Sequence, residues 1–166
     1  IRIGRSTTDV AYSVNHCRLQ NNIIRCETRT DGVTIYGNAN DIDLLSNAVY
    51  NCINGVVLYA NAADIAVIDN DLFANTSGVR ILGSTDQLRL LSNGIYQNSQ
   101  YGLISNSATT VNAANNYWGH LTGPYSAAYN PTGQGNAVSG PVMFTPFLVG
   151  CVNDRWHLCP AGALNN

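Results

Sequence analysis

Three groups of side chains have the types and spacing to do chemistry. Asp41 and Asp64 stand 23 residues apart, each six before an asparagine, Asn47 and Asn70. Two carboxylates repeated at one position of a repeating unit could supply part of a hard-cation site such as Ca²⁺, which asks for several oxygens. They could also flank a sugar as the acid and base of a glycosidase. Short polar side chains cap turns as well, and that reading needs no ligand. Tyr50, Phe73 and Tyr96 recur at the same interval. Rings so spaced could form a platform for successive sugars of a polysaccharide, or could cover apolar surface and stack on one another. Arg18 and Arg89 could neutralise a sugar carboxylate, as lyase chemistry requires. They fall three repeats apart, however, ~14 Å at the spacing of paired strands, and the chain has no lysine. His16, His120 and His157 are scattered, with no Ser or Cys arranged beside them as a nucleophile. No catalytic residue is assigned.

What must position these groups is a repeat. Gly32-Val33, Gly55-Val56, Gly78-Val79 and Gly102-Leu103 recur at intervals of 23, 23 and 24 residues. Asn47, Asn70, Asn93 and Asn116 recur at 23, and Asn22 belongs to the same column. Aligned on the asparagine, apolar residues stand three before it (Leu19, Leu44, Val67, Leu90, Ala113) and five before it (Cys17, Ile42, Ile65, Leu88, Val111). Polar or small residues lie between them, the period-two pattern of a strand with one buried face. Val33-x-Ile35 and its counterparts mark a second strand, and the column Ile24, Val49, Leu72, Ile95 and Trp118 a third. Three short strands cannot bury an apolar face alone, so each coil must stack on the next. The expected fold is all-β: a right-handed parallel β-helix of about five coils between Thr7 and Gly119, right-handed as parallel crossovers are.

Asn22, Asn47, Asn70, Asn93 and Asn116 read as a structural ladder. At a sharp turn between sheets the backbone loses its sheet partners, and an amide side chain can donate and accept in their place. One irregularity sits in Arg25 to Thr30, where the first coil carries two extra residues. It brings Cys26 and Cys52 to nearly the same corner of adjacent coils, where a disulfide is possible. Cys151 and Cys159 bracket a tail segment and suggest a second, local closure, while Cys17 falls in the core column above Ile42.

Composition narrows the setting. Charged residues make up 11% of the chain and the net charge is −2, so the basic footprint of a nucleic-acid binder is absent. No apolar run is long enough to span a bilayer as a helix. Five cysteines without a C-x-x-C pair, few charges and 22 asparagines suit an exported protein in an oxidising space, extracellular or at the cell surface. The organisation expected is β-helix coils over 1–119, a Gly/Pro-rich capping segment over 120–150 and a Cys-bracketed tail over 151–166. Trp118, last of its column, is placed to plug the end of the coils.

The capping segment carries a resemblance. Asn115-Asn116-Tyr117-Trp118-Gly119, Gly123-Pro124, Asn130-Pro131 with Gly133 and Gly135, and the run from Val138 through Gly140, Val142, Phe144 and Pro146 to Leu148 resemble the closing motif of bacterial right-handed β-helix repeat proteins. That family shares its fold with pectate lyases and other carbohydrate-binding or sugar-cleaving solenoids. The resemblance covers about Thr7 to Leu148 and is specific for fold, because the fold hosts many activities.

Three functions follow as expectations. The first is an exported, non-catalytic module that binds glycan or serves structurally at a surface, with Tyr50, Phe73 and Tyr96 as the sugar-facing residues. The second is a fragment of a polysaccharide lyase or glycoside hydrolase. The third is a structural element that self-associates end to end, since the edge of an open coil invites strand pairing. No cofactor is expected beyond a Ca²⁺ at Asp41 and Asp64.

Overall fold

The computed structural model describes residues 1–4 and 14–150. Among the described residues there is no helix, and the strands stack in parallel into three long sheets and a fourth of two short strands. Sheet I runs β1 (Arg2–Ile3), β4 (Val33–Ile35), β7 (Asn54–Leu58), β10 (Ser77–Ile81), β13 (Tyr101–Ser105) and β15 (Val138–Ser139). Sheet II runs β2 (Val14–Gln20), β5 (Ala39–Leu45), β8 (Ala63–Ile68) and β11 (Asp86–Leu91). Sheet III runs β3 (Ile23–Arg25), β6 (Ala48–Tyr50), β9 (Asp71–Phe73) and β12 (Gly94–Tyr96). The fold is a parallel β-helix.

The sequence columns are the sheet registers. Leu19, Leu44, Val67 and Leu90 align on sheet II. Ile24, Val49, Leu72 and Ile95 align on sheet III. Val33, Val56, Val79 and Leu103 align on sheet I. Their side chains form one core running the length of the solenoid. The repeated glycine is there for steric reasons. A Cβ on Gly55 would lie 2.6 Å from the carbonyl oxygen of Gly78, and one on Gly78 would lie 2.7 Å from that of Gly102. Any side chain at this corner would push adjacent coils apart.

Complete coils number four among the described residues, fewer than the five expected, because the fifth is abbreviated. It consists of β13, the two-residue β14 (Val111–Asn112) and a single bridge from Gly94 to Tyr117. The closing segment then does more than pack back on the core. It adds one more rung to each column: β15 on β13, β16 (Val142–Met143) on β14, and Leu148 on Tyr117. Trp118 is therefore fully buried inside the stack rather than a plug at its open end. Its ring lies against Gly102, whose missing side chain leaves the room. The indole nitrogen makes no hydrogen bond there.

Candidate functional site

Two amide ladders fix the corners that carry the candidate residues. In the first, the backbone N–H and the Nδ2 of Asn47 both donate to Asn70 Oδ1, at 2.9 and 3.0 Å. Asn22, Asn70 and Asn93 repeat the pair of bonds to Asn47, Asn93 and Asn116. Each Nδ2 from Asn47 onward also donates back across the coil, to Leu19, Leu44, Val67 and Leu90 oxygens. Sequence reasoning missed the second ladder, although its signal was present: Asn75 and Asn98 stand five past Asn70 and Asn93. The N–H groups of Cys52, Asn75 and Asn98 donate in turn to Asn75, Asn98 and Asn136 Oδ1, at 2.9, 3.0 and 2.9 Å. At its head, Cys52 occupies the asparagine position and is disulfide-bonded to Cys26 on the neighbouring coil, with Cα atoms 5.0 Å apart. Cys17 is free and lies against the core. Cys151, Cys159 and His157 lie outside the described residues.

Between the ladders, sheet III turns its outer face to the aromatic column. Tyr50 and Phe73 stack with centroids 5.0 Å apart and planes at 17°, and Phe73 and Tyr96 at 5.4 Å and 9°. Coil spacing brings each ring over the next, so ring faces are taken up by ring faces and the edges point outward. Tyr50 and Phe73 are half-buried, but Tyr96 is fully buried, in a cluster with Tyr117, Phe73 and Leu148. Alternation placed Tyr96 on the outer face. The closing rung then covered it, so its ring is not a surface for a ligand. Tyr36 and Tyr59 stack likewise at 4.9 Å on the edge of sheet I.

Asp71 lies on this same outer face, two residues before Phe73 and in register with Ala48 and Gly94. It is only 6% exposed. A Cβ on Gly94 would lie 2.6 Å from Asp71 Oδ1 and 3.0 Å from the Tyr96 ring, so carboxyl and ring share the room that glycine leaves. Burial pushes this carboxyl up to about 7. The sequence offered only a faint sign of it, an acid between alanine and glycine in a column flanked by rings.

A groove of about 450 Å³ follows the corner beyond the rings, lined by Arg29, Asn51, Ala74, Thr76, Gln97 and Ser99 among others. Asn51, Ala74 and Gln97 directly follow Tyr50, Phe73 and Tyr96, and all three adopt the left-handed conformation, φ 57°, 52° and 55°. The short methyl of Ala74 leaves a gap between the two amides. Arg29, from the inserted corner, brings the groove's positive charge and forms no ion pair among the described residues.

Sheet II presents the charges. His16, Asp41, Asp64 and Gln87 occupy one column and all have positive φ, between 48° and 57°. Aspartate tolerates this conformation better than most residues, which accounts for Asp41 and Asp64 without a ligand. The structure sets them on adjacent coils and gives each a side-chain neighbour of its own: His16 contacts Asp41, and Arg89 bonds Asp64 at 3.4 Å. Arg18 bonds Asp43 at 2.7 Å. Among the described residues no three His, Cys, Asp or Glu side chains converge. The Ca²⁺ expected at Asp41 and Asp64 therefore finds no converging set of side-chain ligands among the described residues, and each carboxylate already has a side-chain neighbour.

Compared with known proteins, residues 4–139 match the family described as periplasmic copper-binding protein (NosD). No curated protein and no solved structure matches the chain.

Proposed function

The chain belongs to the NosD family, and from that premise we propose that it is an exported, non-catalytic β-helix module that holds glycan along the outer corner of sheet III. The family is one of periplasmic β-helix proteins, and the pectate-lyase-like kinship expected from the closing motif gives way to it. The observation that carries the reading is the groove beside the aromatic column. Amides at Asn51 and Gln97 donate and accept, as sugar hydroxyls do. Thr76 and Ser99 add hydroxyls and Arg29 adds a positive end suited to a uronic acid, in a groove whose Asn51, Ala74 and Gln97 directly follow the three rings in the chain. This differs from a ring platform: sugars would lie in the groove that follows the ring column, not on the ring faces.

Copper, named in the family's description, is held by thiolate, thioether and imidazole donors. Among the described residues His16 and Cys17 are chain neighbours that line one small pocket, the other such donors lie elsewhere, and no three His, Cys, Asp or Glu side chains are placed to hold a metal. His16 meets Asp41, His120 Nδ1 bonds Thr122 Oγ1 at 2.8 Å, Cys17 packs on the core and Met143 is exposed on the closing rung. These residues do not fit copper, and no step is derived through it.

An array of neutral and uronic-acid polysaccharides tests the reading. The intact protein should be retained by at least one polymer, and Asn51→Ala with Gln97→Ala should reduce retention about tenfold while the fold persists. Retention on none of them would overturn it.

A further inference from the structure

Charge vanishes from the later coils: residues 90–150 include no Asp, Glu, Lys or Arg. The same stretch carries five of the eight large hydrophobic residues exposed among the described residues, namely Leu121, Tyr125, Tyr129, Met143 and Val149. Two of them, Tyr129 and Met143, line a groove of about 480 Å³ with Thr110, Pro141, Phe144 and Thr145. The groove follows β16, which among the described residues pairs with β14 alone. The N–H groups of Val111 and Ala113 donate to the carbonyls of Pro141 and Met143. By alternation the N–H and C=O of Val142 and Phe144 point to the other side of the strand, a ready template for pairing. Charged side chains usually guard such an edge, and none stands here. Pro141 and Pro146 confine it to residues 142–145.

We propose that this face docks on a second copy of the chain, the two β16 edges meeting antiparallel about a two-fold axis. The closing rung is then the interface of a symmetric dimer.

A two-fold contact must be self-complementary, because one patch serves on both sides. A short edge strand turned about a two-fold axis faces its copy antiparallel, so the free groups of Val142 and Phe144 can bond across the contact. Tyr129 is 79% exposed and stands at the groove it helps to line, a knob beside a hole, so each copy's ring can enter the other's groove. A face without charge meets its own image with no like-charge repulsion and no ion to strip of water. Tyrosine and methionine are also the residue types enriched at interface cores, where charge is depleted. Open head-to-tail stacking suits the charges less well. The first rung carries an arginine on each of its strands, Arg2 on β1, Arg18 on β2 and Arg25 on β3. The closing rung has no acid to set against them. The dimer face shares no lining residue with the groove proposed for glycan, so it stands or falls apart from that function.

Sedimentation equilibrium of the oxidised protein, taken from micromolar to millimolar concentration, is the test. It should show monomer and dimer alone, in a balance that added salt leaves unchanged. Hydrogen exchange compared between dilute and concentrated protein should slow at Val142 and Phe144 and stay the same along β1, β2 and β3. Tyr129→Glu and Met143→Glu, both at exposed positions, should each weaken association at least tenfold while Tm holds. A monomer at every concentration overturns the dimer and leaves the face to a different partner. Species larger than a dimer, or protection that falls on the first rung, overturn it as well. The sedimentation and exchange arms use the native chain and decide the matter even where a variant folds poorly.

Discussion

The backbone N–H of Cys52 donates to Asn75 Oδ1 one coil on, at 2.9 Å, so the disulfide and the second asparagine ladder form one continuous column. The cystine takes over where asparagines stop. Cys26 and Cys52 clamp the inserted corner of the first coil, and Asn75, Asn98 and Asn136 tie the later coils to the closing segment. The column thus runs from the irregular coil to the rung that covers Trp118.

Breaking the clamp should weaken the first coil most. Closing a loop of this size, with a sequence separation of 26 residues, stabilises by about 3 kcal/mol on the chain-entropy account. Cys26→Ser with Cys52→Ser should lower Tm by several degrees. Cys26→Ser with Cys52→Asn should recover part of the loss by extending the ladder one coil. Equal melting of the two double variants would show that position 52 does not belong to the ladder.

Asn70 holds the middle of the first ladder. Its Oδ1 accepts two bonds from Asn47, and its Nδ2 donates to Leu44, Ile68 and Asn93 oxygens. Asn70→Ala should therefore strand buried groups and cost about 1–3 kcal/mol in urea unfolding. Asn22→Ala, at the exposed end, should cost less. Equal losses at the two positions would show that the ladder's contribution does not depend on burial.

Stability should fall as pH rises from about 4 to 7, and the sign follows from Asp71. Its carboxyl titrates at about 7 folded against an ordinary 3.8, so between those values the folded chain keeps a proton that the unfolded chain has lost. Raising pH through that window favours unfolding, by up to about 4 kcal/mol once Asp71 is fully ionised. Urea midpoints at pH 5 and pH 8 check this, and Asp71→Asn should flatten the slope.

Chelation should leave the protein unchanged. Asp41 contacts His16 and Asp64 bonds Arg89 at largely exposed positions, where such contacts are of small individual worth, and no three acidic, imidazole or thiol groups converge there among the described residues. EDTA should not shift Tm. A fall reversed by Ca²⁺ would show oxygens converging that the fold holds apart.

The coil pattern was legible because burial repeats: Leu44, Val67 and Leu90 must lie over one another, and one inward column writes its period into the sequence. The Cys26–Cys52 pairing was legible for the same reason, being a matter of column arithmetic. Tyr96 was misread because alternation gives the side of the sheet, not what later chain covers it, and Leu148 arrives 52 residues on. Asp71 was nearly invisible for a related reason. Its burial comes from rings folding over Ala48 and Gly94, and no period records that. Asp41 and Asp64 looked like a site because a backbone conformation repeated in every coil selects the same residue types that a metal does.

The central claim, glycan held along the outer corner of sheet III, is tested most directly by nitrogen-15 NMR of the oxidised protein titrated with an oligosaccharide that the array retains. Weak binding, with Kd of roughly 10⁻³ to 10⁻⁵ M, is expected for a shallow face. Shifts should concentrate at Asn51, Thr76, Gln97 and Ser99 and spare the charged face of Arg18, Asp43 and Arg89. Shifts that gather on that charged face instead, or nowhere on the described coils, would contradict the account.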